Sequence, residues 1–419
     1  MERRKFLGAA GTAAAGVMVM KVGTALGYAA NSAVRMGLLG CGGRGTHVAT
    51  SFSQNTTAQV VALGDMFQNQ LAAGKAHFDQ VNAKLGRAAI DEKMLFRGPE
   101  AFEQMAASNV DMIQISTPPF FHVQHLEAAV AAGKHVYCEK PVGIDVKQAH
   151  AALEVAKKVK PNQSVAVGFQ CRNAPPLAAA IEKMKSGAVG DIAAISAYYY
   201  APASKEKAAG APRDEYRLRN WLWDRALSGD ILVEQNIHIV DLCNWLLGVH
   251  PVKAVATGGR KILKHAGDCW DNYHVEYTYP GDVRVSFASK QFGDYSLFDA
   301  GFRVFGSTGA AAVAYAGPVE IVGAEKWAWA EQPSAGAGQF AANGAFSDNL
   351  AFADREKERS FVASIVDGPA QNQIAEGVET ALSCMLGRMA GYRGHEATWE
   401  ELLKHGETYR LGMDLQQFA

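Results

Sequence analysis

The sequence predicts an α/β chain in two parts: a parallel sheet wound with helices, then a domain with an open, mainly antiparallel sheet and helices on one face. Three observations predict it. Short, nearly continuous apolar runs recur between residues 34 and 138 with helical stretches between them, as in strands buried on both faces. The first of these runs leads directly into a glycine-rich turn. From about residue 163 the texture shifts to longer β-branched and aromatic runs separated by turn residues.

The chain opens MERRKFL, followed by a weakly apolar run from Gly8 to Met20 and small residues at Gly27, Ala29 and Ala30. That order reads as a twin-arginine export signal over residues 1–30 with a signal-peptidase site at its end. Lys21 interrupts the run, which falls short of the ~20 apolar residues a spanning helix needs. The expectation is a periplasmic protein, exported already folded by the twin-arginine machinery and without a membrane span.

The 419 residues, 48% hydrophobic and 20% charged, suffice for two domains beyond the leader. A formal net charge of −1 and the absence of a long basic run argue against nucleic acid and anionic membrane surfaces as partners. The six cysteines show neither C-x-x-C pairs nor metal-ligand spacing. They are expected to be small buried thiols with no disulfide framework and no metal.

Val34 to Leu39 is the first strand expected, and it ends in Gly40-Cys41-Gly42-Gly43-Arg44-Gly45. This is G-x-G-x-x-G: the first glycine permits the tight turn, the second lets a pyrophosphate approach the backbone, and the third lets helix and strand pack closely. The helix that follows offers free N–H groups to phosphates. A second strand, Gln59 to Leu63, leads to Asp65, about twenty residues past the last glycine, where an acid meets the adenosine ribose hydroxyls. An acid there repels a 2′-phosphate and favours NAD. Arg44 keeps NADP open, because a guanidinium in the loop suits either the pyrophosphate or a 2′-phosphate. Residues 31–160 are therefore expected to form a Rossmann NAD-binding domain. Met112 to Ile115, a turn at Thr117-Pro118-Pro119, a helix from Val123 to Ala132 and a strand from His135 to Cys138 complete a βαβ order.

STPPFFH followed by AGKHVYCEKPVG resembles the T-P-x-x-x-H and E-K-P segments of the Gfo/Idh/MocA oxidoreductases, named for glucose-fructose oxidoreductase and inositol dehydrogenase. With the glycine loop these segments cover most of residues 34 to 145. The resemblance implies that Lys140 is the active-site lysine, that Glu139 lies beside the nicotinamide, and that Thr117, Pro118 and His122 line the cofactor site. An ammonium beside a reacting carbinol oxygen stabilises alkoxide character as hydride leaves. The i, i+3 spacing of His122 and His125 lacks a third ligand, which argues against a metal.

Residues 161–419 are expected to form a substrate-binding and oligomerisation domain. A helix is expected from Pro176 to Ser186, then a strand in GDIAAISAYYY. Further strands are expected at Val252 to Gly258, Asn272 to Tyr279, Val283 to Lys290, Phe302 to Phe305 and Val319 to Val322. Residues 334–349 read as a loop, and 353–366 and 375–391 as helices. In SGDILVEQNIHIVDLCNWLLGVHP, apolar residues at helical spacing place Glu234, His238 and Asp241 on one expected helix face. By the resemblance, His238 is the catalytic histidine and Asp241 the downstream acid, while Glu234 stands where aspartate is more usual. Its expected roles are to orient His238, bind a sugar hydroxyl or join the acid-base chemistry. Arg172 matches a family position near the substrate, and Trp221 and Trp223 are read as stacking on a pyranose or as core packing.

These residue types suit oxidation of a secondary alcohol, with imidazole taking the proton. Free nicotinamide dinucleotides belong to the cytoplasm, so an exported enzyme is expected to carry NAD tightly bound. The expected activity is oxidation or reduction of a ring hydroxyl, C3 among the candidates, of a sugar or glycoside. The alternatives are a redox-neutral NAD-dependent glycosidase and a non-catalytic nucleotide-binding protein. A homodimer or homotetramer is what the resemblance implies.

Overall fold

The computed structural model describes residues 33–264, 267–293, 298–330, 348–350 and 352–419. The expected leader at 1–30 lies outside the described residues, as does the expected loop at 334–349 up to residue 347.

The first sheet grows from the expected apolar runs. β1 (Val34–Leu39) is followed by α1 (Gly43–Asn55), β2 (Ala58–Asp65), α2 (Gln68–Lys84), β3 (Leu95–Arg97), α3 (Ala101–Ala107), β4 (Met112–Ile115), α4 (His122–Ala131), β5 (His135–Cys138), α5 (Val146–Lys158) and β6 (Val165–Val167). All six strands are parallel, in the order β3-β2-β1-β4-β5-β6. Met36, Leu38, Ile113, Ile115, Val136 and Cys138 are fully buried, as expected of strands covered by helices on both faces. The strand order reverses between β1 and β4, which leaves a crevice at their C-terminal ends where doubly wound folds bind ligands.

The chain continues through α6 (Pro175–Lys185), β7 (Ile192–Ala201), α7 (Arg213–Arg219), α8 (Arg225–Ser228), α9 (Ile231–Glu234), α10 (Ile237–Leu247), β8 (Lys253–Gly259), β9 (Asn272–Thr278), β10 (Arg284–Gln291), β11 (Asp299–Gly306), β12 (Gly309–Ala314), β13 (Val319–Gly323) and β14 (Trp327–Ala328). It closes with α11 (Ala353–Val366), α12 (Ile374–Arg393), β15 (Ala397–Thr398) and α13 (Trp399–His405). The nine-stranded sheet has the order β14-β13-β12-β11-β7-β10-β9-β8-β15. Its pairings are antiparallel except for β7 with β10. Tyr273, Val275 and Tyr277 on β9 and Val285 and Phe287 on β10 are buried, with more exposed residues between them. That alternation gives the sheet one packed face.

Three features depart from the expectations. The parallel sheet runs on to Val167, past the boundary expected at 160, and Val34–Ala419 clusters as one unit. β12, with the sequence GAAAVA, carries too few β-branched side chains to read as a strand and forms through its neighbours β11 and β13. The helix expected through residues 234–245 is broken: α9 ends at Glu234 and α10 begins at Ile237. The six cysteines are separate buried thiols. Among the described residues no helix is long and apolar enough to cross a membrane.

Candidate active site

At the crevice the glycine loop takes the shape its sequence calls for. Gly40 has φ +93°, and a Cβ there would lie 2.5 Å from the Ser116 carbonyl oxygen. A Cβ on Gly45 would lie 2.1 Å from the Gly40 carbonyl oxygen, so only glycine lets α1 sit this close to the turn. Around Gly42 and Gly43 no atom stands within 4 Å of where a Cβ would be. That open backbone, at the start of α1, is a cradle for a pyrophosphate.

Asp65, at the end of β2, accepts hydrogen bonds from the backbone N–H groups of Cys41 (2.8 Å) and Phe67 (2.9 Å). Burial raises its pKa against the pull of those bonds and of the Arg219 charge. Each carboxylate oxygen keeps a lone pair for a ribose hydroxyl, and Asp65 lines the cavity.

Arg44 lines the cavity, and its side chain is held by protein groups. Its Nη1 and Nη2 donate to Asp354 (2.7 and 2.9 Å) and its Nε donates to Glu139 (2.9 Å). Burial works against its charge, but Asp354 and Glu139 overcome it and hold the guanidinium firmly protonated. The side chain ties the glycine loop to α11 and to Glu139 at the end of β5. His122 stands in the cavity wall and braces it: its Nε2 lies 2.7 Å from the Thr117 carbonyl oxygen and its Nδ1 2.9 Å from that of Pro141. It joins the turn after β4 to the turn after β5. Thr117, whose hydroxyl meets His125 Nδ1 at 3.1 Å, and Pro118 form the cavity wall between them.

Lys140 follows β5, with a cis bond to Pro141. Its Nζ donates to Glu234 Oε1 (2.7 Å) and to the Glu234 carbonyl oxygen (2.5 Å). The break between α9 and α10 lets both oxygens of Glu234 face the lysine. Glu234 therefore partners Lys140, and His238 Nδ1 is buried without a protein partner. Burial lowers the His238 pKa well below 6.5, and the nearby Lys140, Arg44 and Lys357 charges add to it. A neutral imidazole in the cavity wall can accept a proton.

Two expected substrate contacts lie elsewhere. Asp241 is wholly buried and holds Arg172 in a two-pronged pair (2.8 and 2.7 Å), with Thr380 donating to it at 3.1 Å. Neither Asp241 nor Arg172 lines the cavity; Asp241 on α10 is taken up by Arg172 and by Thr380 of α12, which pins α10 to α12. Trp221, half-buried, and Trp223, 1% exposed and part of the core, both stand in the cavity wall. The sequence offered no local signal for Asp354, 310 residues from Arg44, or for Gln170, Tyr199 and Gln235 in the cavity wall. The Tyr199 hydroxyl and Gln235 Oε1 are buried without protein partners, and so are available to a ligand.

The cavity measures about 1030 Å³ and runs from Asp65 past the glycine loop to Lys140 and His238. Among the described residues no cluster of histidine, cysteine or acidic side chains could hold a metal ion.

Residues 34–169 match the family model described as oxidoreductase family, NAD-binding Rossmann fold, and residues 177–312 match the Gfo/Idh/MocA C-terminal domain. The chain belongs to the Gfo/Idh/MocA oxidoreductases. It is 29% identical over 290 residues to inositol 2-dehydrogenase of Rhizobium meliloti (strain 1021), spanning 69% of this chain and 78% of that one. It is 26% identical over 265 residues to D-glucoside 3-dehydrogenase of Escherichia coli (strain K12), spanning 60% and 67%. A solved levoglucosan dehydrogenase, in complex with NADH and levoglucosan, superposes with a TM-score of 0.67 at 16% identity, over 87% of this chain and 99% of that one. At that identity the likeness is one of fold. The open cradle at Gly42 and Gly43 and the carboxylate of Asp65 fit the NAD that this family binds.

Proposed function

We propose that this Gfo/Idh/MocA oxidoreductase oxidises a ring hydroxyl of a sugar, cyclic polyol or glycoside, works in the periplasm, and keeps NAD bound from one turnover to the next. The observation that carries the catalytic reading is the meeting of Lys140, Glu234 and His238 at one end of the cavity. The relatives named for inositol and glucoside substrates support the substrate class. Arg3 and Arg4 ahead of an apolar run support export.

Bound NAD supplies the hydride acceptor. As the C–H electron pair leaves the carbinol carbon, His238 takes the hydroxyl proton and Lys140 stabilises the developing alkoxide. Glu234 holds the ammonium in place. Exposed Val255, Phe305 and Val322 on strands of the large sheet support its pairing with a second copy.

The test is to release and identify the nucleotide from purified protein, then follow reduction of the bound cofactor with inositols, aldoses and glycosides. NADH appearing with one class, and lost in Lys140→Ala and His238→Ala, supports the reading. Wild-type turnover in both variants overturns the site. Cleavage of a glycoside without net NADH would point to redox-neutral hydrolysis instead.

A further inference from the structure

β2, which ends at Asp65, and β5, which leads to Lys140, are three strand spacings apart in the first sheet, roughly 14 Å. The hydride chemistry is therefore confined to one end, and the Asp65 end accommodates the adenosine. That end is covered by two segments from outside the parallel sheet. Arg219, the last residue of α7, places its guanidinium carbon 3.8 Å from the centroid of the Phe67 ring and donates to Asn69 Oδ1 at 3.3 Å. Glu215 holds it in place at 2.7 Å. Phe418 also meets the Phe67 ring edge-on, with centroids 5.6 Å apart, and Leu415 and Gln416 line the same cavity.

The two segments are fastened to each other. Arg217 Nη1 donates to the Leu411 carbonyl oxygen at 3.1 Å, and Gln417 Nε2 to Asp214 at 3.2 Å. They are also fastened to the first domain: Arg97 donates to the Phe418 carbonyl oxygen at 3.5 Å, and a Cβ on Gly98 would lie 3.2 Å from the Cα of Ala419. Leu218 and Leu227 bury themselves beneath this layer against Phe121.

We propose that residues 213–221 and 411–418 form a clasp over the adenosine half of the cavity, and that Arg219 and Phe418, both packed on Phe67, set how slowly NAD leaves. The proposal rests on the reading of NAD as a resident cofactor and gives that residence its structural cause. Dissociation must part a guanidinium–ring stack and an aromatic edge pair, both made by groups that take no part in hydride transfer.

The experiment loads the full chain with labelled NAD and chases it with unlabelled NAD, measuring release in wild type, Phe418→Ala, Arg219→Gln and Phe418→Tyr. The clasp predicts slow release from wild type, release at least tenfold faster in the first two variants, and recovery in Phe418→Tyr at an unchanged melting temperature. Arg219→Gln carries the test alone if Phe418→Ala fails to fold. Slow release in wild type and in every folded variant overturns the clasp while the resident-cofactor reading stands. Wild type that exchanges within seconds overturns both.

Discussion

Lys140 and Glu234 meet at 2.7 Å with each side chain 11% exposed, so their pair is far better insulated than a surface salt bridge. Removing one partner of such a pair strands a buried charge, a loss of about 3–5 kcal/mol. Here the Glu234 carbonyl oxygen remains as a second acceptor for Nζ. Glu234→Gln is accordingly expected to leave a folded enzyme with kcat reduced about a hundredfold and KM little changed, as for loss of one electrostatic stabiliser; steady-state kinetics and a melting curve check it. His238 yields a pH prediction. Its pKa lies well below 6.5 through burial and the charges of Lys140, Arg44 and Lys357, so it stays neutral and able to accept a proton as pH falls through 6.5. The acid limb of kcat for alcohol oxidation should fall below pH 6.5, and Lys140→Met should move the residual limb upward by removing a like charge; a limb at or above 6.5 in wild type would contradict the environment described. At this scale the sequence showed the glycine loop and Asp65, because each acts through its own backbone position. It did not show that Glu234 answers Lys140 from 94 residues away, or that Asp241 turns toward Arg172, since pairings across the fold leave no local periodicity.

The element that places these residues is a helix with a gap. α9 is capped by Asp230, whose φ of +79° and ψ of 162° fall in a region natural to glycine and unfavourable for other residues. Its side chain holds that conformation. Oδ1 accepts the Ile231 N–H (2.7 Å), and Oδ2 accepts the hydroxyls of Tyr273 (2.9 Å) and Tyr392 (2.6 Å). Burial raises its pKa to about 6, against the pull of those bonds. Asp230→Ala keeps the unfavourable backbone and takes the acceptor from the hydroxyls of buried Tyr273 and half-buried Tyr392, at about 1–3 kcal/mol for a buried group left unpaired. We expect a loss of about 3 kcal/mol in denaturant unfolding, and a fall in kcat because Glu234 lies one turn further on. Asp230→Gly relieves the backbone and should lose less. β1, β4 and β5 were legible to the residue, because strands covered on both faces are continuous apolar runs. The gap at Gln235 and Asn236 was not, because the apolar residues on either side keep nearly the same helical phase.

Across the whole molecule, α11 returns from beyond the large sheet to pack on α1, through Arg44–Asp354 and a short hydrogen bond from Ser51 to Glu358. This seam and the first domain's core carry opposite responses to pH. His125, stacked between Phe102 (4.7 Å) and Phe121 (5.9 Å), has its pKa lowered to about 3 by burial and by His122. Between pH ~6.5 and ~3 the unfolded chain binds the extra proton, so this contribution is lost as pH falls through that window. Glu358, with no exposed surface, has its pKa raised to about 8 by burial, with Asp354 adding to the rise. Between ~4.5 and ~8 the folded chain binds the extra proton, so its contribution is lost as pH rises. From about 4.5 to 6.5 these two slopes oppose one another, as do those of His238, lowered, and Asp230, raised to about 6, so stability should change little. Above 6.5 the Glu358 slope acts alone, amounting to about 2 kcal/mol by pH 8 at 1.36 kcal/mol per unit. Unfolding free energies measured from pH 4 to 9 should therefore show a plateau followed by a fall on the alkaline side. Glu358→Gln, which keeps an acceptor for Ser51 and cannot ionise, should remove that fall and turn the plateau between about 4.5 and 6.5 into a loss of stability as pH falls, with the His125 slope left unopposed; an alkaline slope equal in wild type and variant would show that the seam does not titrate.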